Sequence, residues 1–295
     1  MSATPADTTL DTAAASPAAE VWRRFRANRA ATVSLAFVVL LVLAALVGPF
    51  LTPFTYDQVI KSDIWMPPLQ GGHLLGADSL GRDLFARTLA GLRVSLAVGL
   101  VATGVALLIG VTYGAVAGLA GGAVDDLMMR VVDLLYALPF IFFVILLTVA
   151  LGKSLALIFM AIGAVEWLTM ARIVRGQTLS LKNREFVEAA RALGVSGPMI
   201  VVRHIAPNLI GPVLAYVTLT IPSVMLAESF LSFLGLGVQE PLTSLGVLVA
   251  EGAQQMEVAP WLLIFPALVM SSLLLALNLV GDGLREALDV TEPDA

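Results

Sequence analysis

Six stretches of this chain are long, apolar and nearly free of charge, and they decide what it can fold into. Residues 31–50 hold no charged side chain, and runs at 94–119, 134–151, 155–173, 209–227 and 258–280 repeat the pattern. An α-helix needs about 20 such residues to cross the hydrocarbon of a bilayer. The chain is 58% hydrophobic and 13% charged, with mean hydropathy +0.92, where soluble domains carry roughly 25% charged residues. Its solvent is therefore lipid, and the expected fold is an all-α membrane protein with six transmembrane helices in one membrane domain. A net charge of −5 excludes a basic nucleic-acid binder. With no cysteine there is no disulfide framework, thiolate metal site or cysteine nucleophile. His73 and His204 lie too far apart in sequence to suggest a histidine-rich metal site.

Between the runs the composition changes. Residues 1–20 lack the positive n-region of a signal peptide and read as a disordered cytoplasmic tail. Residues 21–93 hold a collar with Arg23, Arg24, Arg26 and Arg29, the first span, and a Pro-, Gly- and Asp-rich loop from 52 onward. Residues 94–284 form the core with five further spans, and 285–295 a cytoplasmic tail. The segment 121–133 reads as a second cytoplasmic turn. Gly110, Gly114 and Gly118 recur at four-residue spacing, a seam on which another helix can pack closely. Pro222 interrupts the fifth run, Pro266 suggests a kink in the sixth, and Trp261 is placed as an interfacial anchor. Residues 228–257 read as an outer loop that partly re-enters the protein.

Orientation follows from the basic residues. With the N-terminus inside, the inner segments hold 12 of the 17 Lys and Arg residues and the outer segments 5. Both termini and the polar island at 184–212 are then cytoplasmic. In that island Phe186, Ala189, Ala190 and Leu193 line one face of a short helix. Arg184 and Glu188 form an i,i+4 pair of opposite charge, and Gly194 stands where helices end in a left-handed cap. A helix lying on lipid carries bulky apolar residues and a basic polar face. Two alanines and mixed charge favour packing against protein.

Glu188-Ala189-Ala190, then Gly194, then a run ending at Pro207 resembles the EAA loop of ABC-importer permease subunits. The resemblance implies that Glu185, Phe186, Glu188, Ala189, Ala190, Arg191, Gly194, His204 and Pro207 form a cytoplasmic coupling helix and its surroundings, seated in a cleft of an ATPase subunit. Arg203 to Asn208 is similar to the peptide-importer version, with Ala206 as the departure. His73 to Asp83 followed by Gly91 to Leu96 resembles the outer signature of the C-type permease in dipeptide, oligopeptide and nickel importers, with Leu74 in place of a proline. Ala227–Gly237 and Asn278–Asp289 fit the same group, in which Leu245 replaces a tryptophan. The resemblance implies a type I ABC-importer fold in a prokaryotic inner membrane. It also implies a paired B-type permease, two ATPase subunits that bind ATP and Mg, and an extracytoplasmic substrate-binding protein. This chain would bind no cofactor and carry no catalytic site. Peptides are the expected cargo, and nickel, opine or glutathione importers share the architecture.

Gly152-Lys153-Ser154 mimics the end of a P-loop, but Leu147 occupies the position of the required glycine and the setting is a turn between spans. Glu166 lies inside an apolar run, where an ionisable residue marks either function or a helix-paired carboxylate near the interface. It and Glu228 are the candidates for the translocation path, although Glu228 also suits capping of a broken outer segment. Asn278 and Asp282 read as helix-end polar contacts. Asp78, Arg82 and Asp83 suit either a solvated loop with weak ion pairs or a docking surface. His73 reads as structural, and His204 as part of the ATPase contact. A secondary transporter without ATPase partners would suit spans broken at Pro222 and Pro266, but the spans carry few charges and show no inverted repeat. A membrane enzyme lacks a metal or nucleophile constellation.

Overall fold

The computed structural model describes residues 17–151 and 154–288, and among these every regular element is helical. In chain order the elements are α1 (Pro17–Ala27), α2 (Arg29–Val47), α3 (Leu84–Ala120), α4 (Gly122–Tyr136), α5 (Phe140–Leu151), α6 (Leu155–Leu181), α7 (Glu185–Ala192), α8 (Gly197–Ile200), α9 (Ala206–Phe233), α10 (Leu245–Gln254) and α11 (Trp261–Leu288). Among the described residues, five helical stretches are long and apolar enough to cross a bilayer: Arg29–Phe50, Leu84–Ala120, Ala156–Leu181, Gly197–Phe233 and Trp261–Leu288.

The expected span at 134–151 does not form as one helix. Proline lacks an N–H and disfavours helical backbone in the residue before it. Pro139 separates α4, ending at Tyr136, from α5, whose 12 residues cover only about 18 Å. Pro222 behaves in the opposite way. It sits inside the 28-residue α9, which continues through Glu228 to Phe233, so no broken outer segment begins there. A five-residue π-helical stretch at Val201–Ile205 joins α8 to α9 immediately before Pro207 and spares its ring the usual clash. Other boundaries move outward. Residues 17–20 belong to α1, 121–133 lie largely in α4, and α11 runs to Leu288 where a tail is expected. The indole N–H of Trp261 reaches the carbonyl of Ala77 at 3.4 Å, and its ring packs with Leu84, Ala259 and Leu262.

The core is the α3–α6 pair. Gly110 faces Met170 and Trp167, Gly114 faces Ala171 and Val174, and Gly118 faces Thr178. Residue numbers rise together on both helices, so the two run parallel. A Cβ on Gly114 would collide with the carbonyl oxygen of Ala171, and backbone cannot yield as a side-chain tip can. Parallel helices in one layer require the chain to return across it between them. The contacts of α4 and α5 on α6 trace that return: Asp125 with Arg175, Asp133 with Arg172, then Val144 clustered with Ile158 and Ile162. Around this pair α9 packs on α3, α6 and α11, while α2 packs on α11. Asn28 caps α2 through the N–H of Ala31 and donates to Glu286, fastening α1 to the end of α11.

Candidate functional sites

At one end of the bundle α7 lies against the ends of the spans with most of its surface exposed. Gly194 has φ +78°, which glycine tolerates without cost. The N–H of Val195 bonds the carbonyl of Ala190 at 3.1 Å, and that of Gly194 bonds Arg191 at 2.9 Å, together a Schellman ending. Glu185 and Glu188 in the first turn and Arg191 in the last complement the helix dipole. Arg184 takes the N-cap position, and no ion pair joins it to Glu188 among the described residues.

The apolar face expected from the sequence does not turn inward as a unit. Val187 and Ala190 are the buried pair, packed with Met170, Val174, Ile200, Ile205 and Leu209 from α6, α8, the π-helical stretch and α9. Phe186 and Ala189 are exposed, and Leu193 is 85% exposed. These three, at i, i+3 and i+7, form an outward apolar stripe flanked by the exposed Glu185, Glu188 and Arg191. The Phe186 ring lies 6.4 Å from that of His204, and Pro207 is exposed on the adjoining surface. Lys182 donates to the carbonyl of Gly118 at 2.9 Å, tying the chain before α7 to the C-terminus of α3.

The opposite end is closed by charge. Asp83 accepts from the N–H of Ala86 at 2.7 Å and caps α3, while its other oxygen lies 2.7 Å from His73 Nδ1. His73 Nε2 lies 3.0 Å from Asp63, and Phe54 stacks on the imidazole at 4.4 Å. Burial opposes a charge on His73, but the bonds to Asp63 and Asp83 outweigh it and raise its pKa above the ordinary value. The same His73 bond lowers the pKa of Asp63. Asp78 accepts from Arg82 Nε at 2.7 Å and from an Arg87 guanidinium nitrogen at 2.6 Å, and also from the N–H groups of Leu80 and Arg82. Arg82 continues to Glu240 at 2.7 Å and Arg87 to Glu251 at 2.9 Å, so the loop is fastened to α10 and the turn before it. Asp78, Arg82, Asp83, Arg87 and His73 are all buried, which rules out the solvated-loop reading. The sequence marks these charges but not their partners, which lie 158 and 164 residues away.

Glu228 is fully buried between α9 and α10. One of its oxygens accepts from Ser232 at 2.8 Å and Ser244 at 2.7 Å, and the other has no partner. Ser244 also caps α10 through the N–H of Val247, so Glu228 supports the start of that helix. Glu166, on α6, borders a cavity of about 340 Å³ lined by Leu135, Tyr136, Leu138, Pro139, Val165 and Thr169. Asn278 donates to the carbonyl of Leu274 in its own helix. Gly152 and Lys153 lie outside the described residues, and Ser154 caps α6 through Leu157.

Residues 110–290 match the family model described as the binding-protein-dependent transport system inner membrane component. The chain belongs to this family of ABC-importer permeases. Residues 16–68 match the N-terminal TM domain of oligopeptide transport permease C, the C-type subunit. The chain is 53% identical over 268 residues to the oligopeptide transport system permease protein OppC of Escherichia coli strain K12, covering 90% of this chain and 89% of that protein. It is 50% identical over 268 residues to OppC of Haemophilus influenzae, covering 90% and 86%. It is 43% identical over 271 residues to the dipeptide transport system permease protein DppC of Bacillus subtilis, covering 92% and 84%. A solved inward-facing structure of the MetNI methionine ABC transporter aligns with TM-score 0.55 at 17% identity, covering 67% of this chain and 94% of the matched one. That likeness shows that the permease fold is shared. The chain is thus a multi-pass membrane protein of the ABC-importer permease fold.

Proposed function

We propose that this chain is the C-type permease subunit of an ATP-driven importer of di- and oligopeptides, and that α7 is its coupling helix. The names of the relatives support the peptide cargo. The excess of basic residues on the segments that include α7 supports a cytoplasmic placement for it and for both termini. The broken α4–α5 unit supplies the sixth crossing, a reading that the parallel course of α3 and α6 supports. Residues 94–284 then form the core permease domain, half of a path completed by a B-type permease in the inner membrane.

One observation carries the coupling assignment. α7 is pinned from behind by Val187 and Ala190, yet presents Phe186, Ala189 and Leu193 outward, uncovered by the described residues of this chain. An apolar stripe on a rigid, aqueous-facing helix fits a cleft of a partner protein. ATP binds to the two partner ATPase subunits, with Mg, and their closure moves α7. The Val187 cluster passes that motion to α6 and α9, and the glycine-packed α3–α6 pair carries it as one body across the membrane. An extracytoplasmic binding protein delivers the peptide from the other side. Leu193→Asp is the test, because the side chain is 85% exposed and the change leaves the buried Val187 and Ala190 in place. Expected is a membrane-inserted protein of unchanged stability that no longer copurifies with ATPase subunits or transports. Transport at the wild-type rate would refute the assignment.

A further inference from the structure

Glu166 has a role that the coupling reading does not use. On α6 the residues that meet α3 include Trp167, Met170, Ala171 and Thr178. Glu166, Thr169, Ile173 and Gln177 follow one another at i, i+3, i+7 and i+11, on a neighbouring face. That face is not filled. Glu166 and Thr169 border the cavity of about 340 Å³ at the Pro139 break. Ile173 and Gln177 border a second cavity of about 330 Å³, against Pro212 and Tyr216 of α9.

The usual reason for a carboxylate inside a span is a cation from the same protein, and here that reason fails. Arg172, the nearest in sequence, is held by Asp133 at 2.7 Å and lies 4.3 Å over the Tyr136 ring. No ion pair to Glu166 exists among the described residues. An ionisable group in a span is costly and persists where it meets a ligand or an ion. The lining offers a carboxylate, the hydroxyls of Thr169 and Tyr136, and otherwise hydrocarbon. That set suits a primary ammonium, whose three donors need acceptors and whose charge needs a counter-charge at low dielectric.

We propose that Glu166 is a station in the translocation path that holds the α-ammonium group of the passing peptide. This rests on the peptide-permease reading above. The break at Pro139 has a purpose in this arrangement, because it removes helix backbone from the wall opposite Glu166 and leaves room for the ligand.

The test uses the complete importer with its partner permease, ATPases and binding protein, reconstituted in vesicles, and a tripeptide with a free amino terminus. Glu166→Gln keeps the shape and removes the charge, and Glu166→Asp keeps the charge. Expected is a fall of about tenfold in kcat for Glu166→Gln with KM unchanged, the size of one lost charged contact. Glu166→Asp should recover most of the rate. A second measurement exploits the absence of cysteine from this chain. Glu166→Cys in the assembled complex should be modified by water-soluble methanethiosulfonate reagents, cationic or anionic, as a position that opens to an aqueous path.

Three results would overturn the proposal: wild-type kcat in Glu166→Gln, a complex that no longer assembles with that change, or a Glu166→Cys thiol that reacts with neither reagent. Failure of the unmutated complex to transport any peptide would instead count against the peptide-permease reading.

Discussion

The two ends of this subunit solve opposite problems. At the end that carries residues 52–83, charge is buried and the buried ions of that loop have partners within the chain: Asp78 with Arg82 and Arg87, and Asp83 with His73. At the α7 end, apolar surface is exposed and the flanking charges have no such partners among the described residues, with Leu193 at 85% exposure. The first is finished architecture and the second is half of an interface. Buried ion pairs fix geometry more than they add stability. The loop from 52 to 83, having little regular structure, gains a defined shape from them. A short helix with a Schellman ending already has its shape, so its surface is free to serve another protein.

Breaking each end should give different signatures. The largest stability effect is expected for Asp78→Ala, which leaves two buried guanidinium groups facing each other without their shared carboxylate. Loss of about 3–5 kcal/mol is expected, read as a lower unfolding temperature of the purified subunit and earlier proteolysis within residues 52–83. A smaller effect should follow from pH. The raised pKa of His73 means that its contribution is complete below its unfolded value of about 6.5 and is lost as pH rises through the higher folded value. Thermal stability should therefore decline as pH rises above about 6.5 in the wild type, and His73→Gln should flatten that decline. The smallest effect belongs to the other end, where Leu193→Asp should shift stability by no more than about 0.5 kcal/mol while abolishing transport. A large loss of stability there would erase the contrast between the two ends.

Much of this was legible in the sequence, and the failures have physical causes. The spans, the glycine seam and the Gly194 cap are local features, set by run length, four-residue spacing and a backbone angle that glycine tolerates. The face of α7 was not local. Amphipathicity says that Phe186, Ala189 and Leu193 will be covered, but not by which chain. Of the expected face Ala190 is the buried member, joined by Val187, one position from Phe186. The prolines read backwards for a related reason. Pro222 sits in a helix packed on α3 and α11, and the helix continues through it. Pro139 follows the less enclosed α4, where the lost hydrogen bond ends the helix. The buried charges near residue 80 look solvated in the sequence because Glu240 and Glu251 arrive from far along the chain.

The most direct measurement of the central claim places a single photo-crosslinking residue on α7 of the otherwise cysteine-free chain. A benzophenone attached to Leu193→Cys should form an adduct with an ATPase subunit in native membranes, and one attached at the buried Val187→Cys should not. Adducts with lipid alone at position 193, or equal labelling of the ATPase from both positions, would contradict the assignment of α7 as the coupling helix.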